Sequence, residues 1–323
     1  MEDSRIELLA QVASLYYEHN FSQEEIATRT GYSRSMISRL LKEARDKNVV
    51  EVRINYPLER CLDIEEALQM ALNLRIVRVL QRGVLGQTEM LRRLGAMAAR
   101  LVEELVDQGI KRIGISWGTA LYETTTSMRK RNYTDTRVYQ IVGASGSLTP
   151  EADGPTLARN LAEALGGQYF TLPAPLIVEN PATREALLHD PNVIHILREA
   201  GSFELALVGI GSLDAQTSSL IRSGYLSKEN ADALLREGII GDVCGIMFDK
   251  DGNIRDADIR QRVIGISPED LKKIPIKLGI SAGESKTLPI LGACRAGLVN
   301  SLVTDEVAAL GVLEAFRNEL AGI

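Results

Sequence analysis

QEEIATRTGYSRSMISRLLKEAR, residues 23–45, is the most informative stretch of this 323-residue chain. Two short helices that cross steeply need a small residue where they touch, a turn that tolerates positive φ, and apolar residues closing the far side. Ala27 is the small residue, Gly31 the turn, and Ile26, Ile37 and Leu40 the closure. Gly31, Ile37 and Leu40 follow Ala27 at offsets of 4, 10 and 13 residues, the spacing of a helix-turn-helix. Ser22, with Glu25 three residues on, reads as a capping box opening one helix. Ser33 caps the next, which the pattern carries to about Lys47. Upstream, Ile6, Leu9, Val12, Ala13 and Tyr16 give residues 5–19 a helical stripe. VVEVRI at 49–54 alternates as a strand does.

With Met36 or Ile37, Leu40, Leu41 and Ala44 turned inward, the other face of the third helix carries Ser33, Arg34, Ser35, Ser38, Arg39 and Lys42, with Arg45 beyond them. Small hydroxyls allow close approach to a duplex, and arginines reach guanine edges or phosphates. The helix N-terminus itself favours phosphate. Six basic residues (Arg29, Arg34, Arg39, Lys42, Arg45, Lys47) stand against Glu43 and Asp46, a local +4 on a chain of net charge −6. The overall acidity argues against a basic coat, so nucleic-acid binding has to sit on this one element. A helical hairpin with a merely solvated basic face is the bland alternative. The conjunction of small, turn, apolar and basic positions favours double-stranded operator DNA as a partner.

Residues 1–55 hold no proline, and Pro57 marks a plausible boundary. The division is therefore a helix-turn-helix domain over 1–55 and an effector and oligomerisation domain over 58–323. In the latter, aliphatic runs at 76–80, 112–115, 138–142, 205–210, 243–248 and 276–280 alternate with helical patterns such as 61–74 and 88–108. That alternation predicts a largely parallel α/β sheet covered on both faces. DKDGN at 249–253 carries hairpin-turn chemistry, so one antiparallel pair is expected beside it. Aromatics make up 5% of the chain, so its core must be mostly aliphatic. Cys61, Cys244 and Cys294 are odd in number and far apart, without metal-ligand or disulfide spacing. No run of about 18 apolar residues is present, and the N-terminus is acidic. The expectation is a cytoplasmic protein with no membrane span, metal or cofactor.

Three small-residue turns follow strands: Ser116-Trp117-Gly118-Thr119, Gly143-Ala144-Ser145-Gly146 and Gly209-Ile210-Gly211-Ser212. A Ser/Gly/Thr loop entering a helix places N–H groups and hydroxyls around one point, an anion site suited to phosphate. Such turns also serve as plain tight connections. Three of them at carboxyl ends of strands would line one rim of an open sheet, where ligands bind. Asp242, taken to open a strand, and Glu284 and Lys286 after the 276–280 run add a carboxylate pair and an amine for hydroxyls and phosphate. Leu172-Pro-Ala-Pro-Leu176 would supply a rigid wall.

Together with SWGT, LPAPL, IRSGYLS, GDVCGIMFD, GISAGESK and NSLVTDE, the segment SQEEIATRTGYSRSMISRLLKEA makes nearly the whole chain resemble the SorC family of bacterial transcriptional regulators. The resemblance implies an effector domain similar to the glucosamine-phosphate deaminase/ribose-phosphate isomerase fold. It further implies a phosphorylated sugar or related metabolite as effector and a homo-oligomer, dimer or tetramer, on DNA. Carried over by motif, phosphate falls on Ser116, Gly118 and Thr119, with Trp117 and Gly143 on the same rim, and sugar near Asp242, Glu284 and Lys286. The chain departs from the deaminases in one respect. Their Asp-Gly-His is absent after Gly209, where the sequence reads GIGSLDAQ, and the three histidines, His19, His189 and His195, lie elsewhere. Non-covalent binding and no catalysis are therefore expected, in a regulator, taken as a repressor, of a carbohydrate-utilisation operon. The helix at 64–74 is a candidate lever between the domains. A sugar-phosphate isomerase or deaminase with a helical appendage is the alternative.

Overall fold

A computed structural model describes residues 2–47, 49–50, 58–146 and 150–321. The chain divides into two compact units, Met1–Pro57 and Leu58–Ile323. In the first, α1 (Glu2–Tyr17), α2 (Gln23–Thr30) and α3 (Arg34–Asp46) enclose Leu9, Val12, Ala13, Ile26, Ile37, Leu40, Leu41 and Ala44. Local chemistry sets the ends of the helices. The Glu25 N–H donates to Ser22 Oγ at 3.3 Å, and the Ser22 N–H returns to Glu25 Oε2 at 2.8 Å, which satisfies orphan donors at the start of α2. Gly31 ends that helix in the left-handed region (φ 73°) and donates to the Ala27 carbonyl at 3.0 Å. Ser33 caps α3 by accepting from Met36 at 3.2 Å. The expected strand at 49–54 lies mostly outside the described residues.

In the second unit the strands are β1 (Ile76–Leu80), β2 (Arg112–Ile115), β3 (Arg137–Gln140), β4 (Gln168–Phe170), β5 (Leu205–Gly209), β6 (Gly211–Ser212), β7 (Ile239–Val243), β8 (Ile246–Asp249), β9 (Ile276–Ile280) and β10 (Ser301–Asp305). The helices are α4 (Leu62–Leu72), α5 (Gln87–Asp107), α6 (Thr119–Ser127), α7 (Gly154–Leu165), α8 (Pro181–Leu188), α9 (Pro191–Arg198), α10 (Ser219–Arg222), α11 (Lys228–Arg236), α12 (Pro268–Lys273), α13 (Thr287–Arg295) and α14 (Glu306–Ala321). Seven strands form one parallel sheet in the order β1-β10-β9-β5-β2-β3-β4.

Alternation along each strand feeds two cores. Val77, Val79, Ala206, Val208 and Leu302 pack with α4, α13 and α14. Leu80, Ile113, Ile115, Leu205, Leu207, Leu278 and Val303 pack with α5, α6 and α7. The period-two pattern of a sheet buried on both faces accounts for this split. Because β3 and β5 flank β2 on opposite sides, the chain leaves β2 at a switch point, where a crevice opens beyond the carboxyl ends.

Three expectations need correcting. Residues 243–248 are not one strand, because Cys244 and Gly245 take φ of 56° and 74° and turn β7 back into β8. Two consecutive positive φ values suit the twist of a two-residue hairpin. The resulting small sheet, β6-β7-β8, is antiparallel, and DKDGN forms a second turn that brings Ile254 against Phe248. The helix expected as a lever is α4, which packs on β1 and α14 with Leu68 fully buried, so it is a layer of the effector unit. Asp242 lies inside β7 and does not open it.

Candidate functional site

A cavity of about 620 Å³ opens beyond the carboxyl ends of β2, β5 and β9. Ser116, Trp117, Gly118 and Thr119 form its floor where β2 enters α6. Gly118 takes φ 128°, a conformation open to glycine and costly to other residues, and donates to the Ala152 carbonyl at 3.0 Å. The N-cap of α6, Gly118, brings no side chain to its first turn. The first-turn N–H groups of Thr119, Ala120 and Leu121, all cavity-lining residues, therefore remain for an anion. Ser116 Oγ accepts from Gly209 at 3.4 Å, which ties this loop to the turn after β5.

The second wall comes from the hairpin and the loop after β9. Asp242 is buried, and its Oδ2 accepts from the Gly245 N–H at 3.0 Å. Burial pushes its carboxyl up, while Gly245 and the Lys286 ammonium pull it back. Gly211 pairs with it across the strands, and a Cβ there would stand 1.9 Å from Asp242 Oδ1, so any side chain at 211 would displace the carboxylate. Lys286 lines the cavity and donates to the Ile210 carbonyl at 3.1 Å. Burial lowers its amine to about 8, Asp242 acts to raise it, and Arg222 lowers it further. Glu284 lines the cavity as well. Burial, and after it Asp242, raises the Cys244 thiol, so it lines the wall as a neutral group. The chain's single tryptophan, Trp117, sits in this lining.

Seven of the eight expected effector residues thus converge on one cavity. Gly143 is the exception. A Cβ there would lie 2.2 Å from the Pro175 carbonyl oxygen, and its N–H donates to Ile264 at 2.9 Å. The glycine is required by a close backbone crossing, not by a ligand. The rest of that turn is likewise structural, with Asp153 Oδ1 accepting from Ser145 N–H and Oγ at 2.7 and 2.8 Å. The Pro-rich segment does not wall the large cavity either. Pro175 bridges Ala144, and Leu176 lies behind Trp117 and Asp242.

Arg82, Gln87, Asp214, Thr217 and Arg222 also line the cavity and went unread in the sequence. Arg82 and Gln87 follow the aliphatic run at 76–80, and Asp214 follows the turn Gly209-Ile210-Gly211-Ser212. Their position after a strand was the available signal.

On the first unit, Ser33, Arg34, Ser35, Ser38, Arg39 and Lys42 are all exposed along α3, while Ile37, Leu40, Leu41 and Ala44 are buried. Glu43 turns away from this row to pair with Arg5 and Lys47, which leaves the exposed face basic. Among the described residues no helix is long and apolar enough to cross a membrane, and no cluster of His, Cys, Asp or Glu could hold a metal ion.

Comparison with known proteins agrees with this arrangement. The family model of a sugar-binding domain matches residues 56–314, and that of sigma-70 region 4 matches residues 9–47. The sorbitol operon regulator of Klebsiella pneumoniae is 31% identical over 312 residues, 96% of this chain and 98% of that protein. The deoxyribonucleoside regulator of Bacillus subtilis is 27% identical over 309 residues, 96% and 98% of the two chains. The crystal structure of the full-length Klebsiella pneumoniae regulator SorC superposes with a TM-score of 0.71 at 29% identity, covering 97% of this chain and all of that one. These relatives are regulators, which sets aside the isomerase or deaminase reading. The chain belongs to the SorC family of transcriptional regulators, with a helix-turn-helix and a sugar-binding α/β domain.

Proposed function

We propose that the chain represses a carbohydrate-utilisation operon by placing α3 in the major groove, and that a phosphorylated sugar or related metabolite in the β2/β5/β9 cavity changes its affinity for DNA. The observation that carries the effector class is the company kept in that cavity. Uncapped amides of α6 and the Lys286 amine suit a phosphate, while Asp242 and Glu284 suit hydroxyls. The cations and carboxylates that line it are matched in number, three of each, which favours one phosphate on a polyol over a polyanion. The names of the relatives, a sorbitol operon regulator and a deoxyribonucleoside regulator, support a sugar-derived signal.

On DNA, Arg34 and Arg39 at the start of α3 would reach base edges, with Ser33, Ser35, Ser38 and Lys42 setting register on phosphates. A homodimer or tetramer in the cytoplasm would place two copies of α3 on related half-sites. The effector acts by binding one arrangement of the oligomer better than another, and only that difference can move DNA affinity.

The test is a thermal-shift screen of phosphorylated sugars, with Trp117 fluorescence as a second reading. A ligand at 100 times its dissociation constant adds about 2.7 kcal/mol to stability. Loss of the shift in Thr119→Ala and Lys286→Ala would support the site. A sugar phosphate that binds both variants as it binds the wild type would place the effector elsewhere.

A further inference from the structure

We propose that Asp305 is a positioning residue for the effector: it holds Arg82 at the cavity and fixes the loop that carries Glu284 and Lys286. This rests on the phosphorylated-effector reading given above. The segment NSLVTDE, residues 300–306, supplies no side chain to the cavity wall, yet its aspartate is fully buried at the end of β10. The two carboxylate oxygens serve different elements. Oδ1 accepts from the Gly283 N–H at 2.8 Å and from the Ala308 N–H at 3.3 Å, in the first turn of α14. Oδ2 takes Nη1 of Arg82 at 3.2 Å. The Arg82 backbone N–H is held in turn by Glu306 Oε2 at 3.3 Å.

A purely structural aspartate at this place would need only the two amides, which close β10 onto α14 and the β9 loop. The arginine comes from 223 residues away and lines the cavity. Asp305 pairs in register with Leu80, two residues before Arg82, so the sheet itself delivers the guanidinium to the carboxylate. A guanidinium bound through one nitrogen keeps its other donors for a ligand. Among the described residues Arg82 has no side-chain bond other than that through Nη1. A fully buried carboxylate in turn demands a paired cation. Gly283, at φ 99°, is the pivot that carries the chain into Glu284, Ser285 and Lys286. One carboxylate therefore sets both an arginine and the Lys286 loop on the same cavity.

The test uses the full chain, inorganic phosphate as probe and Trp117 fluorescence as readout, with Asp305→Asn, Arg82→Gln and the double variant. Each single variant is expected to weaken phosphate binding about tenfold, and the double variant to be no weaker than the worse single one. Without ligand, Arg82→Gln should also speed amide hydrogen exchange in peptides covering residues 281–287; should Asp305→Asn fail to fold, this variant still decides. Wild-type phosphate affinity in Asp305→Asn, losses that multiply in the double variant, or unchanged exchange in Arg82→Gln would each overturn the proposal alone. A wild type that does not respond to phosphate would instead remove the phosphate reading and this proposal with it.

Discussion

At the scale of single residues, the cavity turns on two pairs of residues. Gly211 and Asp242 are the first. Because a Cβ at 211 would fall 1.9 Å from Asp242 Oδ1, Gly211→Ala must push the carboxylate off the Gly245 N–H that holds it. Overpacking of this kind costs about 1–3 kcal/mol. The melting temperature should fall and sugar binding weaken together, whereas Gly143→Ala should lower stability with affinity retained in whatever folds. Differential scanning fluorimetry with and without ligand separates the two.

Lys286 and Asp242, which act on each other through charge and not through a direct bond, are the second. The folded amine titrates near about 8, against an ordinary 10.5, so between those values the unfolded chain binds more protons than the folded one. This group therefore adds stability as pH rises through that window. On the proposed reading anion binding runs the opposite way, since a charged Lys286 would attract the anion. Affinity for sulfate, an anion whose own charge is constant over this range, should hold nearly level up to about pH 8 and then fall, by up to about tenfold per unit. Lys286→Gln should be weak and flat over the same range. A flat wild-type profile in a Trp117 fluorescence titration would show that the amine does not touch the anion.

At the scale of elements, α2 and α3 were legible because their signals are local: a capping serine, a glycine at positive φ and apolar residues at fixed offsets. Gly31 has open space around its missing side chain, so Gly31→Ala tests the backbone alone. It should cost about 1–2 kcal/mol through left-handed strain and leave the basic face of α3 intact. Arg39→Ala should do the reverse, with unchanged melting and a loss of about 1–3 kcal/mol in DNA affinity if that side chain reads a base. Fluorescence anisotropy on the upstream DNA of its own gene, beside thermal melts, distinguishes the two variants.

The parallel strands were legible for a related reason, as apolar runs buried on both faces leave a strong trace. Those that escaped lack it. β10 reads Ser-Leu-Val-Thr-Asp and β4 is three residues long. The β7–β8 turn is made by Cys244 and Gly245, and its first residue has no turn preference to announce it. Gly143 was misjudged because a glycine that meets a proline carbonyl looks, in sequence, the same as one that meets a ligand. Arg82 and Arg222 escaped because convergence on one cavity is a property of the sheet order, which no local window contains.

At the scale of the whole molecule, the two functions are coupled only through free energy, and that coupling has to be reciprocal. If the effector weakens DNA binding by a given factor, operator DNA must weaken effector binding by the same factor. Coupling free energies of this kind are typically about 1–3 kcal/mol, or roughly 5- to 150-fold. The electrostatic part of DNA binding depends on salt, with a log–log slope near −0.9 for each phosphate neutralised, whereas the coupling factor depends on the states selected. DNA affinity measured at two salt concentrations, with and without a sugar phosphate found by the thermal screen, should fall steeply with salt in both cases. The ratio between the two conditions should stay nearly constant. The same sugar phosphate titrated against Trp117 should then bind more weakly, by that ratio, when saturating operator DNA is present. An effector that lowers DNA affinity while its own binding ignores the operator would violate linkage for one assembly, and would mean that the species binding DNA and the species binding sugar are different oligomers of the chain.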